Sequence, residues 1–314
     1  MSGRLAILCP GQGAQHPAMF DMARTDPAAS RLLEQCFDDP ELAAPLRAAL
    51  DGPERFTNRV AQPSIVAATL AMWAALGRSS PQPALVAGYS IGELAAWGVS
   101  GALEPVEAVK LAMQRAQLMD ACMASGPPQC MVALSAMPSG SVAALLWRFG
   151  FHAAILTGED ALVAGGPADR REALLEAAAT AGGRASMLPV EVASHTPLMQ
   201  DAVAPFTALL QARRWSAPAF PVLSGISAEP LQDGAHAVEH LARQLAEPIR
   251  WKDCMDTCVE AGVTVALELG PGAALSRMLQ GRHPDIACRS VSEFRSLDGV
   301  YSWLGKQLEW HSPD

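Results

Sequence analysis

The stretch that decides the fold is Ala84-Leu85-Val86-Ala87-Gly88-Tyr89-Ser90-Ile91-Gly92-Glu93-Leu94-Ala95, in which an apolar, strand-like run gives way to a helix-like one. A sharp turn from a strand into a helix needs residues without a Cβ around the serine, and it pushes the serine hydroxyl out of the backbone. The first N–H groups of the following helix are free to hold a negative charge that develops during a reaction. The stretch therefore predicts either a serine nucleophile or an ordinary turn that contains the same five-residue pattern.

Further apolar runs alternate with longer stretches of helical periodicity, which indicates an α/β core. The predicted core strands cover residues 5–9, 85–88, 220–223, 263–269 and 286–291. Residues 61–76 form an almost uncharged run that contains Pro63, shorter than the ~18 apolar residues of a membrane span. This run predicts a buried helix.

Between residues 127 and 190 the pattern changes to a βαββαβ order, which is typical of a ferredoxin-like unit. Its predicted elements are a strand at 131–136, a helix at 141–149, strands at 152–156 and 161–164, a helix at 168–181 and a strand at 185–190. The flanking segments are rich in turn-forming residues. We therefore predict a large α/β domain (residues 1–126 and 191–314), a small domain (127–190) inserted into it, and a cleft between them.

Composition restricts the class of protein. The 314 residues carry a net charge of −9 with no block of Lys or Arg, which argues against nucleic acid or an anionic membrane as partner. The first apolar run is too short for a secretory signal. Seven cysteines without regular spacing indicate reduced thiols in a cytoplasmic compartment. Cys254 and Cys258 lie four residues apart but lack a second ligand pair, so no metal site is predicted.

Two features near the predicted cleft each allow two interpretations. The segment Pro10-Gly11-Gln12-Gly13-Ala14-Gln15 follows the first strand and is either a glycine turn or a loop that presents N–H donors and the Gln12 amide. It is not a phosphate loop, because no Gly-Lys-Ser/Thr follows. Arg115, on a mostly apolar helix, either reaches the surface or holds a carboxylate with its planar guanidinium.

The second half of the chain offers a candidate base. His195, in Ser194-His195-Thr196-Pro197-Leu198-Met199, is either a structural loop residue or the partner of a serine nucleophile, since imidazole titrates near neutrality. The turns at 246–251 and 267–272 could each supply a backbone carbonyl that fixes the tautomer of such a histidine.

Taken together, these motifs resemble the malonyl-CoA:acyl carrier protein transacylases over nearly the whole chain. The shared motifs, in order, are Gly-Gln12-Gly-Ala-Gln, Gly-Tyr89-Ser90-Ile-Gly-Glu93, Gln-Arg115, Ser194-His195-Thr-Pro-Leu-Met, Glu247-Pro-Ile-Arg-Trp and Leu-Glu-Leu-Gly-Pro-Gly. The resemblance implies an α/β-hydrolase-like large domain with a ferredoxin-like domain inserted, in agreement with the organisation above.

The resemblance also implies a site. Ser90 matches the acylated nucleophile, His195 its general base and Arg115 the arginine that holds the malonyl carboxylate. The backbone N–H groups of Gln12 and Ile91 match the oxyanion hole.

A carbonyl near Glu247 is expected to orient the histidine. The implied reaction moves a malonyl group from malonyl-CoA to the phosphopantetheine-type thiol of an acyl carrier protein. No bound cofactor is expected.

Two positions depart from the commonest pattern of this family. Tyr89 stands where most members have His, and this form resembles the transacylase subunit of bacterial malonate decarboxylase, which loads that system's own carrier subunit. Ser194 stands where malonyl-selective members have a bulkier Phe, so its smaller side chain could admit a methylmalonyl group. A malonyl or methylmalonyl transacylase of fatty-acid or polyketide synthesis is the corresponding alternative.

Two rival functions share parts of the pattern. An α/β-hydrolase esterase or thioesterase would need an acid and then a histidine near the C-terminus, where His283 and His311 are available, but it gives Arg115 no role. A non-catalytic subunit that docks the carrier protein would not need the Ser90, His195 and Arg115 set. Since carrier proteins are acidic, docking should use a basic patch. The candidates for this patch are Arg170, Arg171, Arg184, Arg213 and Arg214.

Overall fold

Two β-sheets organise the computed structural model of the protein, which describes residues 3–77, 80–137 and 139–309. The strands are β1 (Leu5–Cys9), β2 (Leu85–Gly88), β3 (Gln129–Ser135), β4 (His152–Leu156), β5 (Leu162–Pro167), β6 (Arg184–Leu188), β7 (Val222–Leu223), β8 (Pro230–Leu231), β9 (Val265–Glu268) and β10 (Ala287–Ser290). The mixed α/β class predicted from the sequence is confirmed.

The larger sheet has the order β10-β9-β1-β2-β7-β8 and is parallel except for the β7–β8 pair. β1 and β2 lie at its centre, and Cys9 pairs with Gly88 at their carboxyl ends. In open parallel sheets, ligands bind beyond these carboxyl ends. The loops that begin at Pro10 and Tyr89 therefore emerge side by side at this edge.

The smaller sheet has the order β4-β5-β3-β6, and every neighbouring pair is antiparallel. One helix connects β3 to β4 and a second connects β5 to β6. This is the predicted ferredoxin-like βαββαβ unit. Its strands lie between residues 129 and 188, inside the predicted segment, while the domain borders at 126/127 and 190/191 stay predictions.

Helices cover both faces of the large sheet and one face of the small one. The α-helices are α1 (Pro27–Asp38), α2 (Ala43–Asp51), α3 (Asn58–Leu76), α4 (Ile91–Val99), α5 (Pro105–Ala124), α6 (Ser139–Phe149), α7 (Arg171–Thr180), α8 (Gln200–Gln211), α9 (Gly234–Arg243), α10 (Trp251–Glu260), α11 (Ala274–Arg282) and α12 (Leu297–Leu308). Short 3-10 helices lie at Ala23–Thr25, Pro53–Phe56, Ala168–Arg170, Pro197–Met199 and Val291–Glu293.

The longest apolar run of the sequence forms the buried helix that it predicts. α3 is enclosed along most of its length and packs against α1, α2, α4 and α5. Across the described ranges, the helices are all too short or too polar to cross a membrane.

The segment that follows α9 joins the two sheets. The N–H of Ile249 donates to the Ala154 carbonyl at 2.9 Å, and the N–H of Leu156 donates to the Ile249 carbonyl at 2.8 Å. This segment of the large unit therefore continues the hydrogen-bonding edge of β4 and fixes the small sheet beside the carboxyl edge of the large one.

Some predicted elements are shorter than expected. β7 covers only Val222–Leu223 of the predicted 220–223, and the predicted helix at 168–181 begins with a 3-10 turn before α7 starts at Arg171. Pro221 lacks an N–H to donate, which limits ladder pairing before β7.

Candidate active site

Ser90 occupies the sharp turn between β2 and α4. Its backbone has a φ of 56° and a ψ of −120°, a conformation that L residues rarely adopt outside functional sites. A Cβ at Gly92 would lie 2.1 Å from the Cys9 carbonyl oxygen, and one at Gly88 would lie 2.2 Å from the Glu93 nitrogen. Only glycine fits at either position, so the two glycines allow the turn that presents the serine.

His195 is fully buried and lies next to this serine. Its Nε2 is 2.8 Å from the Ser90 Oγ, and its Nδ1 is 2.6 Å from the Gln244 carbonyl oxygen. Because a carbonyl only accepts, Nδ1 carries the proton and Nε2 is free to accept the proton of Ser90. Burial, together with the positive charge of Arg115, lowers the pKa of His195 to about 3. The imidazole is therefore neutral, as a general base must be, across the physiological pH range.

The carbonyl that orients His195 belongs to Gln244, so the prediction of Glu247 is wrong. Gln244 is the C-cap of α9, where helix carbonyls have no intrahelical partner. The Glu247 carboxylate instead pairs with Arg243 near the surface, at 2.8 and 3.0 Å. Within the motif Glu247-Pro-Ile-Arg-Trp, Ile249 makes the backbone hydrogen bonds to β4 described above.

Arg115 projects from α5 into the same region and is 2% exposed. Its Nη1 donates to the Gln62 Oε1 at 2.8 Å and to the Met119 Sδ at 3.2 Å, and its Nη2 donates to the Gln244 Oε1 at 3.4 Å. Burial lowers the pKa of Arg115 to about 10, so the guanidinium remains charged at neutral pH. Within the described residues its hydrogen-bond partners are all neutral, which leaves a buried cation able to pair with an anionic ligand.

Two backbone N–H groups next to Ser90 are free donors. Ile91 is the first residue of α4, and Gln12 lies in the loop after β1. Neither N–H donates to another group within the described part of the chain. The Gln12 side-chain amide donates to the Asn58 Oδ1 at 3.3 Å, which positions the loop. The arrangement suits two donors directed at a developing oxyanion.

Gln12, Ser90, Arg115 and His195 line one cavity of about 580 Å³ between the two sheets, which we call the inner cavity. Its polar lining comes from Gln12, Gln15, Asn58, Gln62, Tyr89, Ser90, Arg115, Ser194 and His195. Its apolar lining comes from Phe56, Met119, Met131, Ile155, Val163, Leu188, Pro189, Val190 and Val192. An outer cavity of about 980 Å³ shares Gln12, Phe56, Asn58 and the segment 188–190 with it. The cavity that contains Ser90 therefore adjoins the outer cavity at these residues.

The chain as a whole matches a known family. The sequence profile described as "Acyl transferase domain" matches residues 7–292. The chain belongs to this acyl transferase family.

Full-length relatives agree with this assignment. A malonyl CoA-acyl carrier protein transacylase of Mycobacterium tuberculosis is 30% identical over 301 residues, covering 94% of this chain and 98% of the relative. The solved structure of the malonyl CoA-acyl carrier protein transacylase of Coxiella burnetii superimposes with a TM-score of 0.89 at 26% identity, covering 98% of this chain and 99% of that one. The polyketide synthase GfsB of Streptomyces halstedii is 32% identical over 289 residues, 88% of this chain but only 5% of that protein.

The positions at which this acyltransferase departs from the commonest pattern both line the inner cavity. The Tyr89 ring packs edge-on against Trp251, with ring centroids 5.3 Å apart. The Ser194 Oγ lies 3.6 Å from the Met131 Sδ. Both side chains therefore form part of the cavity wall around Ser90.

Three further residues of the site had no predicted role. Gln62 and Gln244 contact the Arg115 guanidinium, and the buried Glu93 contacts Gln244. Glu93 is within the serine motif, so its position was visible in the sequence. Gln62 and Gln244 lie 53 and 129 residues from Arg115, and only the fold shows that they meet it.

Of the two histidines considered for a hydrolase, His283 does not join Ser90. The His283 Nε2 pairs with the Asp256 Oδ1 at 2.8 Å, and His283 does not line the inner cavity. His311 lies outside the described residues. Among the described residues, no group of three or more His, Cys, Asp or Glu could hold a metal ion.

Proposed function

We propose that this acyltransferase moves a malonyl group from malonyl-CoA to the thiol of an acyl carrier protein through a malonyl-Ser90 ester. The observation that carries the proposal is one cavity that holds a Ser–His pair and a buried guanidinium whose direct hydrogen-bond partners, among the described residues, include no carboxylate. The transacylases of Mycobacterium tuberculosis and Coxiella burnetii, as their names state, act on malonyl-CoA and an acyl carrier protein.

In the first half-reaction Ser90 attacks the thioester carbonyl. His195 Nε2 takes the hydroxyl proton as the new C–O bond forms, and the Gln244 carbonyl holds the resulting imidazolium through Nδ1. The N–H groups of Ile91 and Gln12 stabilise the tetrahedral oxyanion, each donor contributing ~3 kcal/mol. The C–S bond then breaks, and the imidazolium returns its proton to the CoA thiolate.

The second half-reaction reverses these steps with a different thiol. His195 accepts the proton of the phosphopantetheine-type thiol, and the thiolate attacks the malonyl-Ser90 ester. Collapse of the second tetrahedral intermediate forms the carrier thioester, and His195 returns the proton to the Ser90 oxygen. This ping-pong order releases CoA before the carrier is modified.

Arg115 selects the acyl group by its charge. The free carboxylate of malonyl can accept two parallel hydrogen bonds from the guanidinium. Acetyl has no such group, and binding it would leave a buried cation unpaired at a cost of several kcal/mol. The cavity therefore favours substrates with a free carboxylate.

Incubation with malonyl-CoA followed by measurement of the intact mass tests the proposal against its rivals. The transferase should accumulate a stable adduct of one malonyl group per chain. Rapid release of free malonate without an adduct would indicate a thioesterase. Neither adduct nor malonate would indicate a subunit that only docks the carrier.

The more specific proposal is that the acceptor is the carrier subunit of malonate decarboxylase. Its support is Tyr89, because a tyrosine directly before the serine resembles the form of the motif in the transacylase subunit of that system. The test compares transfer rates to the holo-carrier of a malonate decarboxylase and to that of fatty-acid synthesis. Preference for the first supports the assignment, and preference for the second places the protein in fatty-acid or polyketide synthesis.

Ser194→Phe should narrow the acyl pocket. We expect the wild type to accept methylmalonyl-CoA, because Ser194 lines the inner cavity with a small side chain. The phenyl ring should reduce methylmalonyl acylation on the order of tenfold or more while malonyl acylation changes less, since pocket volume separates acyl groups that differ by one methyl. The measurement is the rate of acylation by malonyl-CoA and by methylmalonyl-CoA in each protein. An equal methylmalonyl-to-malonyl rate ratio in the wild type and in Ser194→Phe would contradict the prediction.

For carrier docking, we propose the rim of the outer cavity around Arg171. Of the five candidate arginines, Arg171 is the one that lines this cavity, near the exposed Phe56 and Met187. Both Arg171 and Arg213 already form an ion pair, Arg171 with Glu172 at 3.0 Å and Arg213 with Glu107 at 2.7 Å, so the position at the outer cavity is what favours Arg171. An acidic carrier protein would meet both positive charge and apolar surface at this rim.

A further inference from the structure

Glu93 is a buried carboxyl group for which the reaction above has no use. It lies in the first turn of α4, three residues after Ser90, and is 0% exposed. Its Oε2 accepts the Gly225 N–H at 2.9 Å and the Gln244 side-chain amide. Its Oε1 is buried without a hydrogen-bond partner in the described part of the chain. Because a buried carboxyl is costly unless it is satisfied, this residue needs an explanation.

Gln244 connects Glu93 to both the Arg115 guanidinium and the His195 imidazole. Its side-chain NH₂ donates to Glu93, its Oε1 accepts from the Arg115 Nη2, and its main-chain carbonyl accepts from the His195 Nδ1. A carboxyl Oε2 that accepts from the amide NH₂ determines the orientation of the whole amide plane. The oxygen end must then face the guanidinium.

We propose that Glu93 is a positioning residue that, through the Gln244 amide, fixes the Arg115 guanidinium for a substrate carboxylate and so determines the preference for malonyl over acetyl. The inference rests on the proposed function for the identity of the substrate. If the amide rotated by half a turn, its NH₂ would face the guanidinium, and two donors would oppose each other. Arg115 would then lose one of its three acceptors.

The indirect contact explains why the acid is not next to the arginine. A carboxylate paired directly with Arg115 would occupy the donors that the substrate needs. Glu93, one amide away, orients the guanidinium without occupying it. The charged or titratable groups around Glu93 are Arg115 from α5 and Cys254 from α10, with His195 beyond Gln244.

The charge of Glu93 is not required for this role. Burial raises the pKa of Glu93 to about 7, so both protonation states occur near neutral pH. A proton on the unpartnered Oε1 leaves both hydrogen bonds to Oε2 in place. Gln at this position can offer the same acceptor, whereas Ala cannot.

The test compares acyl-enzyme formation from malonyl-CoA and from acetyl-CoA in Glu93→Ala and Glu93→Gln. Glu93→Ala should reduce the malonyl-to-acetyl rate ratio on the order of tenfold or more, as expected when the buried Gln244 amide N–H is left without its acceptor. Glu93→Gln should keep the ratio within about twofold of the wild type. A fall in the ratio for Glu93→Ala that is restored in Glu93→Gln indicates a positioning role, whereas a role in folding alone would lower both rates equally.

Glu268→Ala is the matched control. Glu268 is also 0% exposed, accepts a backbone N–H from Ser276 at 2.8 Å and has an unpartnered Oε1. It does not line the inner cavity. Its replacement should leave the malonyl-to-acetyl ratio unchanged.

Gln244→Met keeps the test decisive if Glu93→Ala does not fold, because it removes the amide but retains the main-chain carbonyl for His195. It should lower the ratio as Glu93→Ala does. An unchanged ratio in either folded variant, or an equal loss with both substrates, would overturn the inference while the proposed function stands. Absence of a malonyl adduct in the wild type would overturn both.

Discussion

Ser90→Ala should abolish the malonyl adduct and reduce malonyl transfer by about 10⁴-fold or more, because removal of the nucleophile leaves only binding and the oxyanion donors. The Ser90 Oγ contacts the neutral His195 imidazole and lines the inner cavity. The free N–H groups of Ile91 and Gln12 lie beside it. The measurement is the intact mass after incubation with malonyl-CoA, combined with the rate of carrier malonylation. Fold stability should change little, since the side chain is small and partly exposed.

Ser224→Ala provides the control, since the chain contains a second Ser–His pair. The Ser224 Oγ lies 2.7 Å from the His240 Nδ1, but Ser224 is 0% exposed and does not line the inner cavity. This variant should keep the adduct. If Ser90→Ala still formed a malonyl adduct, or if Ser224→Ala lost it, the assignment of the nucleophile would be wrong.

Arg115→Ala should reduce malonyl acylation by about 10²-fold or more and raise acetyl acylation relative to malonyl, because loss of a buried charge-assisted contact is worth several kcal/mol. Arg115→Lys should be intermediate, since an ammonium retains the charge without the planar, two-donor geometry. Rates of acyl-enzyme formation from the two CoA esters measure the change.

Arg213→Ala is the matched control for the loss of an arginine. Arg213 pairs with Glu107 and Gln114 away from the inner cavity, so its replacement should not alter the malonyl-to-acetyl ratio. A malonyl preference that survives in Arg115→Ala would show that the carboxylate is recognised elsewhere.

The fold was predictable where apolar runs have clear ends. Leu5–Cys9 stops at Pro10, and Leu85–Gly88 stops at the serine turn, so both predicted strands match the structure. The ferredoxin-like order was predictable because short strands and helices alternate there between turn-rich segments. Strand lengths near Pro221 were less predictable, because ladder pairing depends on neighbours that the local sequence does not specify.

The site was predictable only as separate motifs. Ser90 and His195 lie 105 residues apart, and their 2.8 Å contact follows from how the chain crosses the sheet edge. The carbonyl acceptor was predicted at Glu247 because motif position was the guide, whereas the end of α9 places the free carbonyl at Gln244. Backbone acceptors carry no side-chain signature, so their sequence position depends on where a helix ends.

The most direct test of the account is a single turnover with the acylated enzyme. The protein is incubated with malonyl-CoA, freed of CoA and then mixed with a holo-acyl carrier protein, and the intact masses of both proteins are followed. The account predicts that the enzyme loses one malonyl group as the carrier gains one, with no CoA present. Loss of the malonyl group as free malonate while the carrier stays unmodified would contradict it.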